Sequence, residues 1–185
     1  MKLIFLDIDG VLNGHEDIHQ TGIHTISPAK VRILNHIVRA SSAQIVLSSA
    51  WRYMILGGAM TLDGFRYMLS TYGLNLDVKL HGHTFSDEEI PERGDQIIAY
   101  LASVTEPVEV WIVLDDASPT MAASLFDRCG DHWLPVDGTR GLDDDVADAA
   151  ITALNAKKQA RPATRATGLD CWRDQGYLLA RYPTK

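Results

Sequence analysis

Three apolar runs in this chain each stop at a pair of polar or acidic residues, and helical patterns separate them. Lys2 to Ile8 is rich in β-branched and aromatic residues and ends in Asp7-Ile8-Asp9-Gly10. Ala43 to Leu47 ends in Ser48-Ser49, and Val108 to Leu114 ends in Asp115-Asp116. Short apolar runs of this kind read as buried strands. Between the first two, Ser27-Pro28 reads as an N-cap with proline in the first turn, and Val31, Leu34, Ile37 and Val38 recur at helical spacing. Residues 61–72 read as helix, as do Ile97, Ile98 and Leu101 after Arg93-Gly94-Asp95. Pro119 to Phe126 reads as a further helix, and Asp143-Asp144-Asp145 opens a last one running to about Leu154. Leu76 to Leu80 and His132 to Val136 are weaker strand candidates. Strands alternating with helices predict an α/β fold, a parallel sheet with helices on both faces. Ligands in such folds gather at the carboxyl ends of the strands. A core strand gains nothing by ending in paired carboxylates, so the repeated pattern marks a candidate site.

The residue types at those ends suit phosphoryl transfer. Clustered carboxylates repel one another and are tolerated around a hard cation such as Mg²⁺, which takes oxygen ligands and accompanies phosphate substrates. Asp7 and Asp9 lie two apart, so extended backbone lets both face one side. One could attack phosphorus, and the other could give and take the leaving group's proton. Ser48, with Ser49 as its neighbour and rival, offers a hydroxyl to a phosphoryl oxygen. Arg93 offers a cation at a helix start.

In family order, these residues resemble the four motifs of the haloacid dehalogenase (HAD) superfamily. Phe5-Leu6-Asp7-Ile8-Asp9-Gly10-Val11-Leu12 resembles the first and Val46-Leu47-Ser48-Ser49 the second. Arg93 before Gly94 resembles the third, and Ile112-Val113-Leu114-Asp115-Asp116 the fourth. More narrowly, Ser48-Ser49-Ala50-Trp51-Arg52 and Thr139-Arg140-Gly141-Leu142 resemble the small HAD domains associated with RNA-repair proteins. The resemblance implies a Rossmann-like sheet and Mg²⁺-dependent phosphatase activity. It makes Asp7 the nucleophile, Asp9 the general acid/base, and Ser48, Ser49 and Arg93 the phosphate ligands. It places Mg²⁺ on Asp7, the Asp9 backbone carbonyl, and Asp115 or Asp116, with the choice between those two left open. Arg52 is a candidate substrate contact. Asp9 argues against dehalogenation, because family dehalogenases lack that second aspartate. About 45 residues separate Ser48 from Arg93, room for a small lid or flap at most.

Composition bounds the alternatives. The 185 residues are 46% apolar and 22% charged, a globular balance. No apolar run approaches the roughly 20 residues a membrane helix needs. Asp7 and Asp9 break the first apolar stretch too early for a signal peptide, so the expected location is cytoplasmic. The two cysteines, Cys129 and Cys171, form no disulfide framework. Net charge is −7, divided as −12 over residues 1–156 and +5 over 157–185. The first stretch is expected to be the catalytic domain. The second is expected to be a basic tail that either docks or stays solvated.

Several motifs have bland readings. Asp7-x-Asp9-Gly10 is no EF-hand loop, because Val11, Leu12 and Ile18 occupy its fifth, sixth and twelfth positions. His15-Glu16-Asp17-Ile18-His19 matches H-E-x-x-H, but Gly14 and Gly22 bracket it and no apolar helical stripe supports it, so a flap is expected over residues 14–26. His81-Gly82-His83 reads as a solvated loop, and Thr139 to Leu142 as a structural turn. The leading function is a Mg²⁺-dependent phosphomonoester hydrolase acting on a phosphorylated substrate, a small molecule or a nucleic-acid end. The alternatives are a phosphatase or phosphotransferase acting on nucleic-acid ends and a non-catalytic binding module on the same fold.

Overall fold

The computed structural model describes residues 1–14, 25–118 and 123–156. The H-E-x-x-H segment with most of the expected flap, the start of the helix expected from Pro119, Cys171 and the whole basic tail lie outside the described residues. Five parallel strands form one sheet: β1 (Lys2–Leu6), β2 (Gln44–Leu47), β3 (Leu80–His83), β4 (Val110–Asp115) and β5 (Trp133–Pro135), in the order β3-β2-β1-β4-β5. Six helices flank it among the described residues: α1 (Pro28–Ser41), α2 (Tyr53–Leu56), α3 (Leu62–Thr71), α4 (Arg93–Ser103), α5 (Ala123–Cys129) and α6 (Asp144–Asn155). The architecture is the Rossmann-like α/β arrangement. No helix among the described residues is long and apolar enough to cross a membrane.

Strand alternation divides the core in two. Ile4 and Leu6 of β1, with Ile45, Leu47, Ile112 and Leu114, face the larger cluster, which α1, α3 and α6 cover with Val31, Leu34, Phe65, Leu69, Ala147 and Leu154. Leu3 and Phe5, with Val46 and Val113, face the smaller cluster under Ile97, Ile98 and Leu101 of α4 and Leu125 and Cys129 of α5. Burial on both faces explains why these strands read as unbroken apolar runs.

Local signals act at the helix ends with varying strength. Pro28 opens α1, but Ser27 makes no side-chain cap there. Asp143 does cap α6, accepting from the Val146 N–H at 3.0 Å. The third strand lies at Leu80–His83, later than the expected Leu76 to Leu80, with Leu76 exposed. His81-Gly82-His83 is therefore an edge strand and not a loop. Gly82 is required there, because a Cβ would overlap the Tyr100 hydroxyl. The 3-10 turn Ala50–Arg52 and the short α2 carry no apolar periodicity and had no sequence signal.

After β3 the chain crosses to the other side of β1, so β1 and β4 flank the topological switch point. In sheets of this kind, the crevice for a ligand opens there, at the carboxyl ends.

Candidate active site

Sheet register alone aligns three of the expected site residues. Leu6 pairs with Leu47 on one side and Leu114 on the other. The next residue on each strand is Ser48, Asp7 and Asp115, in one row across the sheet. The ladder continues through them: Ser48 N–H donates to Leu6 O at 2.9 Å, and Asp7 N–H donates to Leu114 O at 3.0 Å. The carboxylates of Asp7, Asp115 and Asp116 offer oxygens that all lie within 4.8 Å of one another. Asp7 is 6% exposed and Asp115 fully buried. They line a cleft of about 600 Å³ with Asp87, Arg93 and Ser124.

Arg93 enters from the first turn of α4. Its Nη1 donates to Asp7 Oδ2 at 2.6 Å and to Asp115 Oδ2. Burial works against the guanidinium charge, but Asp7 and Asp115 outweigh it and hold the group protonated, above its ordinary value. Burial also pushes Asp115 up, to about 6; Arg93 opposes the rise and the neighbouring Asp7 charge adds to it. Asp7 and Asp115 thus share the Arg93 guanidinium, with the Asp116 carboxylate close beside them. This all-oxygen set fits a hard divalent cation. A backbone cradle supports the fit: Gly10, at φ 74°, and Gly138 both lie against Asp116, where a Cβ on either would overlap its carboxylate.

Asp9 is held differently. Its Oδ2 accepts from the Trp51 indole N–H at 2.9 Å, and its Oδ1 accepts from Asn13 Nδ2 at 2.9 Å. Asn13 is oriented in turn by the Gly10 N–H, which donates to its Oδ1 at 2.9 Å. The loop carrying Asp9 rests on the Thr139 to Leu142 segment, where Leu142 N–H donates to Val11 O at 2.8 Å and Gly141 adopts φ 70°. That segment is a turn that buttresses the loop.

The two serines separate. Ser48 Oγ is buried with no hydrogen-bond partner among the described residues, a free hydroxyl beside Asp7. Ser49 Oγ instead accepts from the Trp51 N–H at 3.4 Å and caps the 3-10 turn. Arg52, expected as a substrate contact, is only 2% exposed and does not line the cleft. Its guanidinium turns inward and donates to Ser49 O, Phe85 O and Asp87 Oδ1 at 2.8, 2.9 and 2.6 Å. The correction has a physical cause: backbone carbonyls and a carboxylate satisfy the charge inside the fold, so it serves as a strut. Gln96 of α4 joins the same strut, donating to Asp87 Oδ1 and Ile90 O, both at 2.7 Å. Burial works to raise the Asp87 pKa, but donors from Gln96, Tyr53 and Arg52 prevail and hold it below the usual carboxylate value.

Sequence reasoning missed Asn13, Trp51, Asp87 and Gln96 as parts of this site. Trp51 stood beside the strand-end serines, but nothing local marks its indole N–H as a partner of Asp9. Asp87 and Gln96 carry no local signal, because only the fold brings them to Arg52.

Neither a search of curated proteins nor one of solved structures returns a match to the chain. The family described as the HAD domain in Swiss Army Knife RNA repair proteins matches residues 3–147, which include all five strands but for Lys2, the acidic row, Arg93 and the supporting turn. The chain belongs to that family, and with it to the HAD superfamily.

Proposed function

We propose that this protein is a Mg²⁺-dependent phosphomonoester hydrolase that works through an aspartyl phosphate on Asp7. The observation that carries the reading is the convergence of Asp7, Asp115 and Asp116 beside Arg93 at the switch point of the sheet. Membership of the HAD superfamily supports phosphatase-type chemistry. Asp7, Asp115 and Asp116 would hold the cation, which supplies neutralising charge for the carboxylates and the phosphoryl oxygens.

The chain's own residues do the rest. Asp7 attacks phosphorus through a carboxylate oxygen. Ser48 Oγ, lacking an internal partner, donates to a phosphoryl oxygen. Arg93 turns part of its fork from the carboxylates to the phosphate, where charge-assisted donation is strongest. Asp9 protonates the leaving oxygen and later takes a proton from the attacking water.

The test is hydrolysis of an aryl phosphate with and without Mg²⁺. The expected result is Mg²⁺-dependent turnover that falls at least about 1,000-fold in Asp7→Asn. Full activity in Asp7→Asn overturns the mechanism. Mg²⁺ binding without turnover on any monoester favours the non-catalytic module.

A second reading concerns the leaving group. The family's description places its domain in RNA repair proteins, which favours phosphorylated nucleic-acid ends as substrates. The −12 charge of residues 1–156 opposes long polyanions, while the +5 of residues 157–185 attracts them. Phosphate release from end-phosphorylated RNA and DNA, weakening steeply with salt, supports this reading. A preference for free sugar phosphates or nucleotides removes it.

A further inference from the structure

We propose that Trp51 and Asn13 are positioning residues that aim Asp9 at the leaving oxygen, a role that rests on the phosphatase reading above. Their two N–H donors each take one lone-pair direction on a different oxygen of the Asp9 carboxylate, both at 2.9 Å. A carboxyl group fixed at both ends cannot rotate about its terminal bond without breaking one of these contacts.

Neither donor can drift. Asn13 is fully buried, and its carbonyl oxygen accepts from the Gly10 N–H, which fixes the amide so that its NH₂ faces Asp9. The Trp51 backbone is pinned by the Ser49 cap, and its ring packs edge-on against Phe65 of α3 with centroids 6.3 Å apart. Phe65 is itself fully buried in the larger core cluster. Packing thus links the orientation of Asp9 to the larger core cluster. Both donors are uncharged, so they fix the carboxyl group's angle by direction and add no charge beside it.

The chemistry they serve balances in two steps. As the Asp7 oxygen bonds to phosphorus, the bond to the leaving oxygen breaks and Asp9 gives that oxygen its proton. Water then attacks phosphorus, Asp7 leaves as carboxylate, and Asp9 takes the water's proton. Orientation of Asp9 matters most when the leaving oxygen is a poor one, because a good leaving group departs with little need of a proton.

The experiment compares kcat on a dinitrophenyl phosphate and on an alkyl phosphate. Trp51→Phe keeps the ring against Phe65 and deletes the N–H. Asn13→Ser deletes the other donor and repeats the test should Trp51→Phe fail to fold by thermal melting. The expected result is an alkyl-to-aryl rate ratio about tenfold below wild type in either variant, in the direction of the larger collapse in Asp9→Asn. A ratio within about twofold of wild type, with both rates lowered together, assigns these residues to packing alone and overturns the proposal. If Asp9→Asn itself leaves the ratio unchanged, Asp9 is not the acid, and the underlying reading fails with the proposal. If only Asp9→Asn shifts the ratio, the proposal alone fails.

Discussion

The two walls of the cleft are built on different cores and by different forces. The Asp9 wall stands on the larger cluster under α1, α3 and α6, and uncharged N–H donors set the angle of its carboxyl group. The Arg93 wall stands on the smaller cluster under α4 and α5, and charge pairing sets its side chain against Asp7 and Asp115. Neutral hydrogen bonds are directional and insensitive to salt, so they suit a group whose angle matters. A guanidinium shared among carboxylates can be redistributed when an anion arrives, so it suits a group that must change partners. Arg52 couples the walls, reaching from Ser49 at the end of β2 to Phe85 and Asp87, which Gln96 of α4 grips.

The most damaging way to break this arrangement is to remove the coupling. Arg52→Ala should cost about 3 kcal/mol, because it removes three side-chain hydrogen bonds of a buried guanidinium and opens a cavity. The Asp87 side chain is 60% exposed, so the ion pair itself contributes little of that loss. Denaturant unfolding measures the change. A loss below about 1 kcal/mol would mean the walls stand independently.

Next comes the base of the acidic row. Gly10→Ala meets both a positive φ and the Asp116 carboxylate, so it should cost about 2 kcal/mol. It should also weaken Mg²⁺ binding roughly 10- to 100-fold, as read by calorimetric titration. Gly94→Ala strikes only the Arg93 wall, where a Cβ would overlap the Ser124 backbone carbonyl. About 1–2 kcal/mol should be lost as α4 and α5 separate, with phosphate affinity reduced and the Asp9-dependent rate ratio untouched.

The smallest effect is alkaline. Burial pushes the Cys129 thiol from 9.0 to about 12 and the Tyr100 hydroxyl from 10.0 to about 12, and both belong to the smaller-core face. The folded chain keeps protons that the unfolded chain releases, so these groups' contribution is full below about pH 9 and fades toward pH 12. The melting temperature should fall across that window, and less steeply in Tyr100→Phe. An unchanged slope would place the alkaline weakness elsewhere.

Legibility in the sequence follows the range of each interaction. The strand-to-helix alternation and the acidic strand ends are local patterns, so the parallel sheet and the gathering of Asp7, Asp115 and Asp116 at its carboxyl edge were legible. The choice between Ser48 and Ser49 could not, since a one-residue difference at a strand end depends on register and on the turn that follows. β3 was displaced because an edge strand of His81-Gly82-His83 lacks the β-branched residues that mark the central strands. The inward turn of Arg52 was not legible, because its partners at residues 85–87 come to it only through the fold.

The position of β1 governs how such a chain must come together. Of the five strands in this sheet, the earliest in the chain is the central one, and its second neighbour is β4, more than 100 residues later. At ribosomal elongation rates, that neighbour follows on the order of ten seconds behind. Until then, one long edge of β1 has no partner, and the acidic row exists only in pieces. Pairings of such large sequence separation form slowly, since loop-closure entropy is lost before contacts offset it. The same strand that unites the finished site therefore leaves the nascent chain exposed to mispairing and in need of a companion.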